Sequence, residues 1–292
     1  MTDAPGPGRA VRIDLHTHST ASDGTDTPAE LAAAARAAGL DVVALTDHDT
    51  TAGIAAAVAA APPGLTVVPG VELSCRWNPT EGRGVSVHLL GYLVDPAAAE
   101  LRAECDRLRL GRVDRGRRVT ELLAAAGFPV TWERVRALAD GGSVGRPHVA
   151  RALVEAGVVA SVDEAFAHLL RTGSPYYAGK PELDALAAVG LVRRAGGVPV
   201  FAHPLARRRG RVVDDGAIAA MAAAGLAGLE VDHPDHDVAD RAHLRGLAAE
   251  LALLTTGSSD YHGRNKQVQP GVETTDPEVY AAIVAAALPA RR

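Results

Sequence analysis

Apolar positions along the chain keep two rhythms. Short, nearly continuous aliphatic runs, AVRID near the start and then DVVALT and LTVVPGVEL, have the character of strands buried on both faces. Between them PAELAAAARAAG and TAGIAAAVAAA read as helices, the first with Pro28 in its opening turn and Gly39 at its end. VSVHLLGY is a further strand. The alternation returns in the last third as helix ELDALAAVGLVRRAG, strand VPVFA, helix DGAIAAMAAAG, strand LAGLEV, helix DVADRAHLRGLAAELA and strand LLTTGSSD. Strands alternating with helices of this length imply parallel βαβ units. Over residues 96–179 the strands stop, and AAAELRAECDRLRLGRVDRGRRVTELLAAAG, TWERVRALA, RPHVARALVEAG and VDEAFAHLLRTG all read as helices. The expectation is an α/β body built from residues 10–95 and 180–290, with a helical insertion domain at 96–179.

A chain of 292 residues has room for one large α/β barrel or two ordinary domains. Hydrophobic residues make up 47% and charged residues 22%, as in globular proteins, and no apolar run reaches the roughly 18 residues of a membrane span. The opening MTDAPGPGRA lacks the apolar segment of a secretory signal, so a cytoplasmic protein without membrane association is expected. Cys75 and Cys105 are the only cysteines, so a metal here must rely on nitrogen and oxygen ligands. A net charge of −5 argues against a broad nucleic-acid-coating surface and leaves room for a local basic pocket. Lys180 and Lys266 are the only lysines.

Residues with metal-ligand chemistry recur at strand ends. In IDLHTHSTASDGT, His16 and His18 stand two apart at the end of the first strand, where both imidazoles point to one side, and Asp23 follows. His48 follows the second strand in TDHDT, Glu72 ends the third in GVELS, and His88 lies within VSVHLLGY. His203 follows VPVFA in AHPL, and Asp260 and His262 close the last strand as SDYH. One such histidine alone is usually structural. Six histidines with Asp23, Glu72 and Asp260 at equivalent positions point to a multinuclear metal site on the face where α/β barrels build their active sites. Asp47 is a candidate to orient a ligand from behind, and Asp49 or Thr50 to cap the following helix.

Taken together, HTHSTASDGT, TDHDT, GVELS, the His88 strand, AHP and SDYH resemble the polymerase and histidinol phosphatase (PHP) family of metal-dependent phosphoesterases, from about Asp14 to His262. The resemblance implies a distorted (β/α)7 barrel holding two or three divalent ions. Carried over by position, His16, His18, Glu72 and Asp260 would hold the first ion. Glu72 would bridge to a second held by His88 and His203, and Asp23, His48 and His262 would hold the third. Many members of the family have histidine where this chain has Asp23. Asp23, His48, Glu72, His203 and His262 are the expected catalytic set. Such ions lower the pKa of bound water to around 7 and neutralise charge on a transferring phosphoryl group. Manganese is the favoured metal, with iron or zinc as alternatives that imidazole and carboxylate also suit.

The insertion is expected to select the substrate. GGSVGRPHVARAL sets Ser143, Arg146 and His148 around a helix start that favours anions, with Pro147 in the first turn, and SPYYAGKP returns Lys180 as the chain re-enters the barrel. These segments resemble the PHP subgroup acting on nucleoside 3′,5′-bisphosphates or on the 5′ ends of small RNAs, which implies phosphate contacts from Ser143, Arg146, His148 and Lys180. The expected activity is release of the 3′-phosphate from a nucleoside 3′,5′-bisphosphate, with short RNA 5′ ends as a second substrate class. Hydrolysis of a cyclic phosphate or of histidinol phosphate on the same metals is the alternative, and a noncatalytic metal-binding regulatory module is the alternative of another class. The run Arg207–Arg211 reads as a solvated face, with a rim that grips phosphate as its other reading. His233 and His236 lie outside the ligand set, and His168 and His243 read as surface residues. Trp77, Trp132, Tyr176 and Tyr177 suit either base stacking or packing.

Overall fold

A computed structural model describes residues 10–79, 82–139, 144–171 and 173–287. The first half of the barrel is β1 (Ile13–Thr17), α1 (Pro28–Ala37), β2 (Val42–Leu45), α2 (Ile54–Ala59), β3 (Thr66–Trp77) and β4 (Val85–Tyr92). Four helices follow: α3 (Ala99–Ala125), α4 (Trp132–Ala139), α5 (Arg146–Glu155) and α6 (Val162–His168). The barrel resumes with β5 (Leu183–Asp184), α7 (Ala185–Arg194), β6 (Val198–Ala202), α8 (Asp215–Ala223), β7 (Gly228–Asp232), α9 (Val238–Glu250), β8 (Leu254–Gly257) and α10 (Pro277–Ala286). Local chemistry sets the helix starts. At α1 the Thr27 hydroxyl accepts from the Glu30 amide and the Glu30 carboxylate accepts from the Thr27 amide, a reciprocal cap with Pro28 behind it. Aspartates cap α7, α8, α9 and α10.

Seven strands run round one nearly closed barrel in the order β1-β2-β3-β4-β6-β7-β8, and the short β5 pairs with the end of β3. The ends meet beside the metal-type residues, where Thr17 bridges Tyr261 and the His18 amide donates to the Tyr261 carbonyl at 2.8 Å. Asp14 reinforces that seam by accepting from the amides of Ser259 and Gly271. Ile13, Leu15, Val42, Ala44, Val68, Leu90, Tyr92, Val198, Val200 and Ala202 fill the barrel interior.

One feature departs from the all-parallel expectation. β4 is antiparallel to both β3 and β6. Among the described residues no helix intervenes between β3 and β4, and a connection this short makes a hairpin, whereas a parallel return needs a crossover of a dozen or more residues. The reversal has a functional consequence. His88 lies in the first half of β4, and register pairs it with Ser74 on β3 and with Ala202, the last residue of β6. An antiparallel strand thus presents its beginning on the face where its parallel neighbours present their ends.

The helix α3 spans two environments. Its first half contributes Leu101, Cys105 and Leu108 to the layer between barrel and outer helices, and its second half contributes Val119 and Leu123 to a separate cluster with Val135, Val149, Leu153 and Leu170 of the α4–α6 region. At about 1.5 Å per residue its 27 residues reach roughly 40 Å, enough to link the two. Among the described residues no helix is long and apolar enough to cross a membrane.

Candidate active site

The expected ligands converge on one mouth of the barrel, with Glu72 at the centre. Its Oε2 lies 3.3 Å from His16 Nε2, 3.2 Å from His18 Nε2 and 2.8 Å from His48 Nδ1. Its Oε1 lies 2.8 Å from His88 Nδ1 and 3.0 Å from His203 Nε2. Asp260 Oδ1 approaches His16 Nε2 at 3.4 Å and His18 Nε2 at 3.3 Å. Asp23 stands on the other side, 3.4 Å from His262 Nε2 and 3.7 Å from His48 Nε2. Three sets have donor atoms close enough for one cation each: His16, His18 and Glu72; His48, Glu72 and His88; and His18, Asp23, His48 and His262. The second set contains His48 where the resemblance implies His203. His203 touches the same Glu72 oxygen as His88, at a backbone φ of 32° that side-chain-bearing residues rarely adopt.

These atoms fit metal ions on their own chemistry. His16 Nε2, His18 Nε2, His48 Nδ1, Glu72 Oε2 and Asp260 Oδ1 are buried and have no hydrogen-bond partner among the described residues. Orphaned polar atoms of that kind are costly in a protein interior, and here they face one another rather than scatter. Imidazole nitrogens and carboxylate oxygens are the donors that first-row divalent ions take. The protons reflect the same crowding. Burial pushes His48 down to about 3 and His262 down to about 4, while His18 is raised to about 9 because the adjacent Asp260 and Glu72 carboxylates outweigh its burial. His88, with 26% of its side chain exposed, faces the mouth.

Behind this layer lie supporting residues, of which Glu230 carries no sequence signature. Glu230, inside β7, pairs through Oε1 with His16 Nδ1 at 2.9 Å and accepts from the His203 amide through Oε2 at 2.7 Å. Asp47 accepts from the Ser19 amide and from the hydroxyls of Ser19 and Ser22, bracing the β1–α1 loop. Asp49 does not cap α2, whose N-cap is Gly53 without a side-chain bond. It is held at a φ of 55° and accepts from the Ser74 amide and hydroxyl and from Arg112 of α3. His236 accepts from the Leu205 amide and pairs with the Val231 carbonyl, so it braces loops. Of the arginine run, Arg209 turns its guanidinium inward while about a third of its side chain stays exposed. It pairs with Asp235 and with Asp260, because the turn ending at Gly210 folds the run back over the barrel mouth.

The residues expected to contact substrate divide. Ser143 lies outside the described residues. His148 is buried and accepts from the Gly145 amide through Nδ1 at 2.9 Å, closing the first turn of α5. It lines a cavity of about 270 Å³ shared with Thr20, Thr25, Arg151 and Arg264. Arg146 donates to the Leu170 carbonyl and lies over the Phe166 ring. Lys180 has a buried ammonium with no hydrogen bond, its nearest carboxylate being Glu182 at 3.8 Å. Both stand in the electrostatic field of Arg112 and Arg115 on α3. Gly111 and Gly116 make this approach of elements feasible: a side chain at Gly111 would meet Pro181 and one at Gly116 would meet Val144. Arg115 is 8% exposed, and neither an ion pair nor a hydrogen bond to it is found among the described residues. Burial, reinforced by Arg146 and Arg112, pushes its guanidinium down to about 9, and burial with Arg112 brings Lys180 down to about 7. Trp77, Trp132 and Tyr176 pack into apolar clusters, while Tyr177 is exposed, as are His168 and His243.

A barrel whose mouth gathers orphaned imidazole and carboxylate donors, beside a buried excess of cations, defines a metal-dependent phosphoesterase. Comparison with known proteins agrees. Residues 14–124 match the PHP domain. The chain is similar to a 3′,5′-nucleoside bisphosphate phosphatase from Chromobacterium violaceum, 37% identical over 86% of this chain and 87% of the relative. It is also similar to a 5′-3′ exoribonuclease from Haemophilus influenzae, 35% identical over 86% of this chain and 90% of the relative. A solved structure of a candidate metal-dependent phosphoesterase from Bifidobacterium adolescentis superposes with a TM-score of 0.89 at 36% identity, covering 96% of this chain and 98% of that one. The chain belongs to the PHP family and is a phosphoric ester hydrolase.

Proposed function

We propose that the protein removes the 3′-phosphate from nucleoside 3′,5′-bisphosphates, with the 5′ ends of short RNAs as a second substrate class. The observation that carries this reading is the charge excess beside the metal-type cluster. Arg112, Arg115, Arg146 and Lys180 bring four cationic side chains to buried or half-buried positions, and among the described residues their carboxylate partners are Asp49 and Glu182, the latter shared with Arg76. An excess of buried positive charge of this kind is what a phosphomonoester dianion neutralises. A substrate with two phosphates places one there and the other at the cluster. The named phosphatase and exoribonuclease relatives support the same substrate class.

In this reading His16, His18, Asp23, His48, Glu72, His88, His203, Asp260 and His262 hold two or three divalent ions, with manganese preferred. When bound, the ions activate water and neutralise charge on the phosphoryl group. The chain's own residues do the rest. Glu230 fixes His16 with its Nε2 lone pair toward the cluster, the fused network of Asp49, Ser74 and Arg112 anchors α3 to the barrel, and the exposed edge of His88 marks the opening. Segment 96–179 acts as an insertion domain that reads the phosphate not cleaved. The panel that tests this offers manganese-loaded protein adenosine 3′,5′-bisphosphate, histidinol phosphate, a ribose cyclic phosphate and a 5′-phosphorylated RNA. Preference for the bisphosphate with AMP as product is expected; preference for histidinol phosphate or the cyclic ester rejects the proposed substrate.

A further inference from the structure

Asp260 uses its two carboxylate oxygens differently. Oδ1 has no hydrogen-bond partner and faces His16 and His18. Oδ2 accepts from Arg209 Nη2 at 2.6 Å and from Lys266 Nζ at 2.5 Å, with His233 Nε2 3.4 Å away. The residue is held at a φ of 53°, a conformation that persists for a non-glycine only where the surroundings over-determine it. Arg209 arrives from the loop after β6 and is itself fixed by Asp235 at 2.7 Å. Lys266 arrives from the loop after β8 and donates a second bond to the Asp260 carbonyl. Both cations keep about a third of their side chains exposed, so they stand at the rim and not in the core.

Neutral donors suffice to orient a carboxylate, as the Ser19 amide and the hydroxyls of Ser19 and Ser22 do for Asp47. Two full positive charges on one oxygen do more. They stop that oxygen from turning inward, and they compete electrostatically with any cation on the other oxygen. We propose that Arg209 and Lys266 are positioning residues that restrict Asp260 to a single ligand oxygen and draw charge out of it. The metal beside His16 and His18 is then held less tightly and keeps more of its positive charge for the phosphoryl oxygen. The proposal rests on Asp260 being a metal ligand.

The test titrates manganese into chelator-stripped protein by calorimetry and measures kcat and KM on adenosine 3′,5′-bisphosphate. In Lys266→Met or Arg209→Met the remaining cation still orients the carboxylate. Each variant is therefore expected to bind manganese about tenfold tighter at unchanged stoichiometry. Its kcat should fall by about tenfold or more while KM stays within about twofold. Lys266→Arg should return both affinity and kcat close to the wild-type values. Manganese affinity that is unchanged or weaker in both methionine variants, or an unchanged kcat, overturns the proposal. Asp260→Asn separates the two layers of the argument: it is expected to lose bound manganese, and full occupancy in that variant would reject Asp260 as a ligand.

Discussion

Glu230 Oε1 and His16 Nδ1 pair at 2.9 Å inside the barrel, with both side chains fully buried. The pair settles which nitrogen of His16 faces the cluster, because an imidazole that gives Nδ1–H to a carboxylate keeps its Nε2 lone pair free. Glu230→Gln should weaken divalent metal binding by about 10–100-fold. Calorimetric titration checks this, and unchanged affinity would mean that neighbouring ligands alone hold the ring.

Arg115 offers a prediction with opposite signs. As a buried guanidinium without a partner among the described residues it destabilises the fold, so Arg115→Met should raise unfolding free energy by about 1–3 kcal/mol. The same change should raise KM for the bisphosphate by about 10–100-fold, since a charged hydrogen bond to phosphate is lost. Urea unfolding and steady-state kinetics on one preparation measure both; a variant that is less stable and has normal KM contradicts the assignment.

Lys180 makes the phosphate contact pH-dependent. Burial and Arg112 place its pKa near about 7, below the ordinary lysine value of 10.5. The protonated form attracts the phosphate, so affinity is fully present below pH 7 and falls as the pH rises through it. KM should therefore increase above neutrality in the wild type, and Lys180→Arg should flatten that rise. A pH profile identical in both proteins would remove Lys180 from the contact.

Arg112 tests the anchor between α3 and the barrel. Replacing it with methionine leaves the buried Asp49 with the Ser74 hydrogen bonds but without its ion-pair partner, which should cost about 3–5 kcal/mol of stability. A melting temperature equal to that of the wild type would show that Ser74 alone satisfies Asp49.

The clustering of these candidate ligands was legible in the sequence because barrel topology repeats one location: His16, His48 and His203 each follow a buried aliphatic run, and a strand end has only one place to go. Glu230 carried no such signal. It lies mid-strand in LAGLEV, where nothing local distinguishes a carboxylate paired to His16 from a strand-edge residue. Arg112 and Arg115 were hidden for a different reason. They belong to a long helix dense in arginine and acidic residues, which reads as a solvated surface until Gly111 and Gly116 are seen to bring Pro181 and Val144 against it. Strand direction at β4 follows from chain length rather than from periodicity, since alternation of side chains is the same in either direction. Arg209 became visible only once the turn at Gly210 showed one arginine of the run facing inward.

The central claim is that Glu72 and its neighbours form the metal centre that carries the hydrolysis. Elemental analysis of bound divalent metal, read together with phosphate release from adenosine 3′,5′-bisphosphate in the wild type and in Glu72→Gln, tests it most directly. Two or three ions per wild-type chain, at least one of them lost from the variant together with nearly all turnover, is the predicted result. A wild-type protein that hydrolyses the substrate without bound metal, or a Glu72→Gln protein that keeps both its ions and its activity, would contradict it.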